Sequence, residues 1–450
     1  MPVEKIKALF QDSSLSKDEL RSRLNETDHF EISRRLHEFS PDEKIKIFHL
    51  LDSERKRQEL LYEMDPDSRR EIQDSLDRED LAKLFKGMAE DEVTDILQEL
   101  PEENREEILE KMPPKDAGII KDLITYGEET AGGLMELNFN KVWENQTAAD
   151  ILLKLKRERN QDTPPYFYVV NRGDQLLGFF KLRDLLNVPV IARPTEFMRQ
   201  KPPKVLLNDP CEKVANLMDH EHLSSIPVVD QNNVIQGVVT FDDVIRAMQD
   251  IASEDIFTMV GTDTVDPFAK KTIRKIRARA PWLFTTFIGG LISATVLGAF
   301  KNTLSDFAAI ILFIPFVIGL AGNVAIQGAT VIVRGMATGD IQSDNIKTVV
   351  KSELLVGISN GLIFGTLCGI FITLISQPLI HTNPLLGLTV GMGIILAVGI
   401  SSVIGSLTPI IFLKMGIDPA ISAGPIVTGA NDIIGLLVYL STAGFVYSFT

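Results

Sequence analysis

Five long apolar runs near the C-terminus constrain the fold of this chain more than any other feature. They are Trp282–Phe300, Phe307–Val333, Leu354–Leu379, Leu385–Leu413 and Ala420–Tyr447. About 20 apolar residues span the roughly 30 Å hydrocarbon core of a bilayer, and each run is about that long or longer. Lipid offers no partners to backbone polar groups, so a span of this kind must be helical. We therefore predict an all-α transmembrane domain with five spans over residues 281–450.

Basic residues lie in alternate loops between these runs. One side has Lys270, Lys271, Arg274, Lys275, Arg277 and Arg279 before the first run, Arg334, Lys347 and Lys351 after the second, and Lys414 after the fourth. In the loops on the other side, Lys301 is the only Lys or Arg. Basic loops stay on the cytoplasmic side of a membrane. We therefore expect a multi-pass protein of the inner (plasma) membrane, with its N-terminus in the cytoplasm and its C-terminus outside.

Charge divides the chain into two parts. Residues 1–269 contain 35 Lys and Arg against 55 Asp and Glu, whereas residues 270–450 contain 11 against 6. Nucleic acid requires a basic protein surface for its phosphates, so the acidic part argues against such a partner. The same acidity favours cations as ligands of the water-soluble part.

The first 130 residues contain a series of helix-start signals, in which a small polar or acidic residue or a Pro precedes Pro or Glu. Examples are Ser40-Pro41, Asp65-Pro66, Ala89-Glu90 and Pro101-Glu102. An N-cap residue followed by Pro and by acids in the first turn is typical of a helix start. Apolar residues at i, i+3 and i+4 spacing follow these signals. We predict an α-helical superhelix of stacked short helices, an N domain over residues 1–130.

Residues 131–250 contain an internal repeat. The sequence YFYVVNRGDQLLGFFKLRDLL, which starts at Tyr166, matches SIPVVDQNNVIQGVVTFDDVI, which starts at Ser225. In each copy an apolar strand, a turn, a Gly and a second apolar strand precede a helix with an acid near its start, Asp184 or Asp243. The pattern resembles a tandem pair of α/β CBS domains. Such pairs often bind nucleotides, which makes Asp184 a candidate nucleotide contact.

Asp432 lies within the last apolar run, in the otherwise uncharged sequence GPIVTGANDIIGLLVY. A lone carboxylate at membrane depth is costly, so such acids usually face a water-filled path or a partner. Away from their ends the runs contain no basic residue that could pair with it, which favours a cation as the partner. Asn431, Thr428 and Gly429, which lie beside Asp432, would supply further oxygen ligands and leave room for the backbone to approach. The alternative is a protonated Asp432 held by structural hydrogen bonds.

The second run contains the sequence IPFVIGLAGNVAIQGATVIVRG. Its candidates for opening the helix, so that carbonyls face a cavity, are Pro315, Gly319 and Gly322. Asn323 and Gln327 share one helix face at i, i+4 spacing and would place two amides near Asp432. The alternative is that the small residues serve only helix packing.

The sequence lacks two motifs of membrane enzymes and pumps. It contains neither an HExxH zinc motif nor a Gly-rich phosphate loop that ends in Lys-Ser or Lys-Thr. An intramembrane metalloprotease and an ATP-driven pump are therefore not expected, and we predict that the protein is not an enzyme.

Paired acids recur in the water-soluble part. The pairs are Asp91 with Asp95, Asp242 with Asp243, and Glu254 with Asp255. Hard divalent cations take oxygen ligands and can bridge acids on separate elements. A solvated surface is the alternative for any single acid, so the prediction of ion binding depends on the whole set.

These features together resemble the MgtE family of magnesium channels, along essentially the whole chain. The resemblance is carried by Ala131–Met135 (AGGLM), the CBS repeat, Pro315–Gln327 (PFVIGLAGNVAIQ), Asp418-Pro419-Ala420 and Asn431-Asp432. It implies a connecting helix over residues 251–280. It also implies a homodimer whose pore lies on the two-fold axis, built mainly from the second and fifth spans, in which Asp432 of each subunit holds a hydrated Mg²⁺. Two carboxylates can neutralise a divalent ion, whereas one cannot.

The resemblance further implies cytosolic Mg²⁺ sensing. The matching residues are Asp91, Asp95, Glu212, Asp243, Glu254, Asp255 and Asp418. Bare acids repel one another, so ions that bind only the compact form would hold the N domain, CBS pair and connecting helix in a closed state. Two positions depart from the family pattern, since Ala325 replaces a usual Gly and His222 replaces an acid.

We therefore predict a homodimeric Mg²⁺-selective channel or transporter in contact with membrane lipid, closed by cytosolic Mg²⁺, with ATP as a further ligand of the CBS pair. A channel for Mn²⁺, Co²⁺ or Ni²⁺ is one alternative, which oxygen-only ligands disfavour weakly. A membrane-anchored CBS sensor is another, although an anchor does not need an uncompensated Asp432.

Overall fold

The computed structural model describes residues 17–157, 165–263, 272–301, 308–341, 345–376 and 384–448. The chain divides into two compact units, Met1–Gln249 and Asp250–Thr450. The basic residues Lys270 and Lys271, and one end of the second and of the third apolar run, lie outside the described residues.

The first unit starts with short helices that the sequence caps. They are α1 (Lys17–Glu26), α2 (His29–Ser33), α3 (Pro41–Leu50), α4 (Glu54–Glu63), α5 (Pro66–Ser75), α6 (Arg78–Phe85), α7 (Glu90–Gln98), α8 (Glu102–Leu109) and α9 (Pro114–Ile124). The Ser40 hydroxyl accepts from the N–H of Glu43, whose carboxylate accepts from the N–H of Ser40 at 2.8 Å. The Asp65 carboxylate accepts from the N–H of Ser68 at 2.8 Å. These caps confirm two of the predicted helix starts.

These helices stack so that most of them pack on the helix two positions further along the chain. α1 packs on α3, α2 on α4, α3 on α5, α4 on α6, α6 on α8 and α7 on α9. Their shared core includes Ile47, Phe48, Leu60, Leu61 and Ile96, all of which are buried. This stacking confirms the predicted superhelix.

Two α/β halves follow in the same unit. The first comprises β1 (Asn140–Trp143), α10 (Ala148–Arg157), β2 (Tyr166–Val170), β3 (Leu176–Lys181), α11 (Leu182–Leu186), α12 (Pro194–Phe197) and β4 (Arg199–Gln200). The second comprises β5 (Val205–Leu206), α13 (Cys211–Glu221), β6 (Ser225–Val229), β7 (Ile235–Thr240) and α14 (Phe241–Met259). β1 is parallel to β2, which is antiparallel to β3, and β5, β6 and β7 repeat this order. The shared topology confirms the predicted tandem CBS fold.

The two halves join through their hairpin turns. The N–H of Leu176 donates to the carbonyl of Asn233 at 2.9 Å, and the N–H of Ile235 donates to the carbonyl of Asp174 at 3.1 Å. The two bonds are reciprocal, because equivalent turns of the repeat exchange them. The CBS pair is therefore one pseudo-symmetric body.

The AGGLM segment packs against the second CBS half. Its Ala131 N–H donates to the carbonyl of Asp209 and its Gly132 N–H donates to the carbonyl of Leu207, both at 2.8 Å. A Cβ atom on Gly133 would lie 2.3 Å from the carbonyl oxygen of Gly127, so only Gly fits there. The glycines of this motif are thus required by close backbone packing.

The described part of the second unit contains five helices that are long and apolar enough to cross a membrane. They are α15 (Thr272–Ala299), α16 (Ile314–Ala337), α17 (Ile346–Ile375), α18 (Leu385–Lys414) and α19 (Pro425–Tyr447). Short 3-10 segments, Ala308–Phe313 and Pro419–Ala423, precede α16 and α19. The five predicted spans are confirmed. The segment 251–280, predicted as a connecting helix, contains the end of α14 and the start of α15.

Helix α18 is central to this bundle, because α16, α17 and α19 all pack on it. A Cβ atom on Gly365 of α17 would lie 2.7 Å from the carbonyl oxygen of Gly391 on α18. The side chain of Ser402 occupies the space beside Gly357 in the same interface, and the Ser402 hydroxyl donates to the carbonyl of Glu353 at 3.1 Å. Small residues therefore let these helix backbones approach closely.

The predicted opening of the second span is wrong. α16 is continuous from Ile314 to Ala337, and Pro315 occupies its first turn. A Pro at that position removes no intrahelical hydrogen bond, so it starts the helix instead of breaking it. Gly319 and Gly322 lie within the continuous helix, where Gly is tolerated.

Candidate metal-ion sites in the two units

Asp432 lies early in α19, which begins at Pro425. Its side chain is half-buried. The hydroxyl of Thr428, one turn earlier, donates to the carbonyl of Gly424 at 3.3 Å, which leaves its oxygen available as an acceptor. A carboxylate and a hydroxyl thus lie one turn apart on the same helix, which is a donor set suited to a hard cation.

Asn431 is completely buried and ties three helices together. Its Oδ1 accepts a hydrogen bond from the hydroxyl of Ser401 on α18. Its Nδ2 donates to the carbonyl of Ile318 on α16 at 3.4 Å. A Cβ atom on Gly322 would lie only 3.2 Å from that Nδ2. The Asn431 amide therefore connects three helices next to Asp432, and its predicted role as an ion ligand stays a prediction.

Open space borders two glycines of the predicted pore. A Cβ atom on Gly319 of α16 or on Gly429 of α19 would meet no described atom within 4 Å. Asn323 and Gln327 lie exposed on α16, as their i, i+4 spacing predicts. Within the described residues, neither amide forms a hydrogen bond with Asp432. The side chains of Asn323, Gln327 and Asp432 are thus accessible at the surface of a single chain. They do not surround an ion-binding site within that chain.

A second carboxylate in the bundle was missed by sequence reasoning, because it directly precedes the third apolar run. Glu353 of α17 is half-buried, and its Oε2 lies 3.9 Å from the position that a Cβ atom on Gly328 would occupy. The buried hydroxyl of Ser406 lies 3.5 Å from the same point. Gly328 therefore leaves room for two polar groups between α16, α17 and α18.

In the first unit, acids from three elements come together. Asp91 and Asp95 lie on α7, Asp243 lies on α14, and Glu136 follows the AGGLM segment. Asp91 is only 6% exposed, and in the described part of the chain its Oδ1 has no hydrogen-bond partner. The hydroxyl of Tyr62 donates to Oδ2 of Asp95 at 3.3 Å. We call Asp91, Glu92, Asp95, Glu136 and Asp243 the acid cluster.

Burial and mutual repulsion raise the pKa values of the acid cluster. Burial raises the pKa of Asp91 well above its usual value, and the charges of Asp243 and Glu136 add to the effect. Burial is also the main cause that raises the pKa of Asp95 to about 7. The pKa of Glu136 rises to about 8 through burial and then the charges of Asp243 and Asp242. A bound cation would offset both causes.

The acid cluster does not form a closed metal cage. Within the described residues, no group of three or more His, Cys, Asp or Glu side chains converges tightly enough to hold a metal ion directly. Mg²⁺ keeps several of its waters and commonly takes only one or two carboxylates from a protein. A hydrated Mg²⁺ does not require the closed cage of side chains that a dehydrated ion needs.

Glu136 is a member of the acid cluster that sequence reasoning missed. Its backbone pairs with Val238, with the Glu136 N–H donating at 2.7 Å and the Val238 N–H donating at 2.9 Å. This pairing carries its side chain to the start of α14, which Asp243 also occupies. Glu136 directly follows the AGGLM motif, which was the one sequence signal that it could belong to a site. Its pairing partner Val238 lies about 100 residues away, so the sequence did not indicate the contact.

Three other predicted residues have local structural roles. The Asp184 carboxylate accepts from the N–H of Lys181 at 3.0 Å at the start of α11. The Asp418 carboxylate accepts from the N–H of Ala420 at 2.8 Å. His222 ends α13 with a left-handed backbone, at a φ of 51°. Asp184 and Asp418 thus stabilise helix starts, which leaves their other carboxylate oxygen for a ligand.

The remaining predicted sensor residues lie on two helices. Glu212 is half-buried in the first turn of α13. Glu254 is exposed and Asp255 is half-buried, and both lie on the later turns of α14, in the second unit. Their participation in ion binding stays a prediction.

Comparison with known proteins finds matches to both units of the chain. The family described as MgtE, divalent cation transporter, matches residues 314–442, the MgtE intracellular N domain matches residues 27–129, and the CBS domain matches residues 195–250. The magnesium transporter MgtE of Enterococcus faecalis is 30% identical over 330 residues, which cover 73% of this chain and 72% of that protein. The magnesium transporter MgtE of Thermus thermophilus is 31% identical over 333 residues, which cover 73% of each chain.

A solved structure extends the comparison to the cytosolic fold. The crystal structure of the cytosolic domain of the Mg²⁺ channel MgtE in complex with ATP is 27% identical and covers 54% of this chain and 99% of its own. Its TM-score is 0.51. The architecture of the first unit is therefore shared with that domain.

Proposed function

This chain belongs to the MgtE family of magnesium transporters, and on that premise we propose that it forms a homodimeric Mg²⁺ channel that cytosolic Mg²⁺ closes. The family consists of ion transporters and not of enzymes, and Mg²⁺ is its transported substrate. The observation that carries the proposal is the half-buried carboxylate of Asp432 beside open space at Gly319 and Gly429.

Permeation follows from charge and ligand chemistry at Asp432. One carboxylate leaves a divalent ion with an excess charge at membrane depth, whereas two carboxylates from a homodimer neutralise it. Mg²⁺ releases its waters reluctantly, so a pair of carboxylates would bind it through its hydration shell. Thr428 and the exposed amide of Asn323 would provide further hydrogen bonds to those waters. Flow would be passive, driven by the ion gradient and the membrane potential.

Closure follows from the acid cluster of the first unit. Without ions, the carboxylates of Asp91, Asp95, Glu136 and Asp243 repel one another when they are charged. An ion that binds only the compact arrangement shifts the population toward it. We propose that Glu212, Glu254, Asp255 and Asp418 bind ions that extend this effect, so that rising cytosolic Mg²⁺ favours the closed channel.

Two further parts of the proposal concern topology and nucleotide. The chain is a multi-pass membrane protein, and the basic loops favour a cytoplasmic N-terminus and an external C-terminus. Since the related cytosolic domain was solved in complex with ATP, we propose that the CBS pair of this chain also takes ATP, near Asp184.

Ion flux into liposomes tests the proposal. Purified wild-type protein should carry Mg²⁺, and Asp432→Asn should reduce that flux at least about tenfold, since each tenfold corresponds to about 1.4 kcal/mol of lost ion stabilisation. Asp340→Asn is the matched control, because Asp340 is an exposed acid of the same unit that accepts a hydrogen bond from Thr338. Its flux should equal that of the wild type.

The same assay separates the alternatives. A channel for Mn²⁺, Co²⁺ or Ni²⁺ would carry those ions faster than Mg²⁺ when they compete. A membrane-anchored CBS sensor would carry no ion at all. Unchanged Mg²⁺ flux through the Asp432→Asn variant would remove Asp432 from the permeation path.

A further inference from the structure

Arg246 connects the second CBS half with the N domain. It lies near the start of α14, three residues after Asp243, and reaches toward α4. Its Nη2 donates to a carboxylate oxygen of Glu63 at 3.2 Å. Its guanidinium carbon lies 4.7 Å from the centre of the Tyr62 ring. One side chain therefore makes a charged hydrogen bond and a cation–π contact across the interface.

The same contact reaches the acid cluster. The hydroxyl of Tyr62, whose ring stacks against Arg246, donates to Asp95. Burial raises the pKa of Asp95 and of Asp243, and the positive charge of Arg246 opposes that rise at both groups. Arg246 thus acts on acids of two different domains from one position.

We propose that Arg246 is a built-in counter-ion that holds the N domain on the second CBS half before any metal ion binds. The proposal deepens the gating part of the proposed function and rests on it only for the consequence in transport. A single positive charge cannot neutralise the five carboxylates of the acid cluster. Arg246 therefore stabilises part of the contact between the two domains, and divalent ions neutralise the remaining charge of the acid cluster.

The chemistry of arginine suits this role. A guanidinium stays charged at any physiological pH, and its flat shape allows stacking on Tyr62 and hydrogen bonding to Glu63 at once. Lysine keeps the charge but loses the planar fork. The contact between the N domain and the second CBS half should therefore persist in the wild type when Mg²⁺ is removed. Both the charge and the planar shape of Arg246 should contribute to it.

The test measures domain separation in the full-length protein in nanodiscs. Spin labels at the exposed positions Asp74 on α5 and Glu221 on α13 report the distance between the N domain and the second CBS half. In chelator, the wild type should retain a short-distance population. Arg246→Gln should lower the ratio of short to long distances roughly three- to tenfold, as expected from the modest strength of a partly exposed ion pair plus a cation–π contact.

Lys213→Gln is the matched control. Lys213 pairs with Asp209 at 2.7 Å within the second CBS half, so its loss removes the same charge without touching the N domain. Its distances in chelator should equal those of the wild type. Arg246→Lys should fall between the wild type and Arg246→Gln, because it restores the charge alone.

Saturating Mg²⁺ shows whether the variant still folds. Arg246→Gln should regain the short distance when Mg²⁺ is added, because the ions replace the missing charge. Equal distances for Arg246→Gln and Lys213→Gln in chelator would overturn the proposal. A long distance that persists in Mg²⁺ would also overturn it, since Arg246 would then be needed for the fold itself. These outcomes are independent of ion flux, so they remain informative if the channel assignment fails.

Discussion

The carbonyl oxygen of Ala325 lies 2.2 Å from the position that a Cβ atom on Gly405 would occupy. α16 and α18 therefore meet backbone to backbone at this point. Ala325, at a position where the resemblance implies Gly, is completely buried in this interface. Ala325 thus contributes to packing between α16 and α18. It lies on the opposite side of α16 from the exposed Asn323 and Gln327.

Gly405→Ala should destabilise the transmembrane bundle. The added methyl group must displace the backbone of α16, and overpacking of this kind typically costs about 1–3 kcal/mol. Thermal unfolding in detergent measures the effect. Gly399→Ala, on the same helix, is the control, because a Cβ atom there would meet no described atom within 4 Å. Equal melting temperatures for the two variants would show that the close approach does not exist.

Asp91→Asn should weaken the response of the protein to Mg²⁺ while it stabilises the ion-free form. The substitution removes a buried charge that has no partner at Oδ1, so unfolding without ions should require more free energy. Binding should stabilise the wild type by roughly 2–3 kcal/mol at a Mg²⁺ concentration about 100-fold above Kd, and this increment should shrink in the variant. Melting temperatures with and without Mg²⁺ measure both effects.

Asp74→Asn is the control for that experiment, because Asp74 is an exposed acid of the same domain. It should leave the Mg²⁺ increment unchanged. If Asp91→Asn also kept the full increment, the acid cluster would not be the site at which Mg²⁺ stabilises the first unit.

Stability without divalent ions should fall as pH rises from about 4 to about 8. Burial raises the pKa of Asp95 to about 7 and that of Glu136 to about 8, above their ordinary values near 4. Between those limits the folded state binds more protons than the unfolded state, so the free energy of unfolding decreases with increasing pH. Chemical unfolding of the full chain in chelator, repeated across this range, measures the slope.

Glu136→Gln should flatten the upper part of that pH profile, since Gln does not titrate. Added Mg²⁺ should also reduce the slope, because the ion replaces protons on the same carboxylates. A pH profile that is level between 6 and 8 in the wild type without ions would contradict the raised pKa values.

Deletion of residues 1–125 should leave a channel that high Mg²⁺ on the cytosolic side closes poorly. The deletion removes Asp91, Asp95 and Tyr62, so ions can no longer bridge the N domain to Asp243 and Glu136. Flux at low Mg²⁺ should match that of the full chain, which shows that the pore is intact. Undiminished closure by high Mg²⁺ would place the sensor elsewhere.

The sequence was sufficient for features that depend on local pattern. Hydropathy located the five spans because each is set by its own length and composition. Helix starts at Ser40 and Asp65 were predictable because a cap and its acceptor lie within three residues. The repeat predicted the tandem CBS topology because each copy contains its own hairpin.

Features that depend on distant contacts were not accessible in the same way. Glu136 joins the acid cluster through pairing with Val238, which no local pattern indicates. The hydrogen bonds of Asn431 were not predictable because its partners, Ser401 and Ile318, lie on two other helices, and its predicted role in ion binding stays a prediction. The predicted opening at Gly319 failed because glycine permits a break in a helix but does not require one.

The hydrogen bonds of Asn431 determine what controls the geometry at Asp432. The amide joins α19 to α16 and α18, so the backbone position of the adjacent Asp432 is coupled to the packing of three helices. The width available to a hydrated ion is then a property of helix packing and not of a flexible loop. Ser401, which is buried on α18, would then influence the proposed ion site through its hydrogen bond to Asn431.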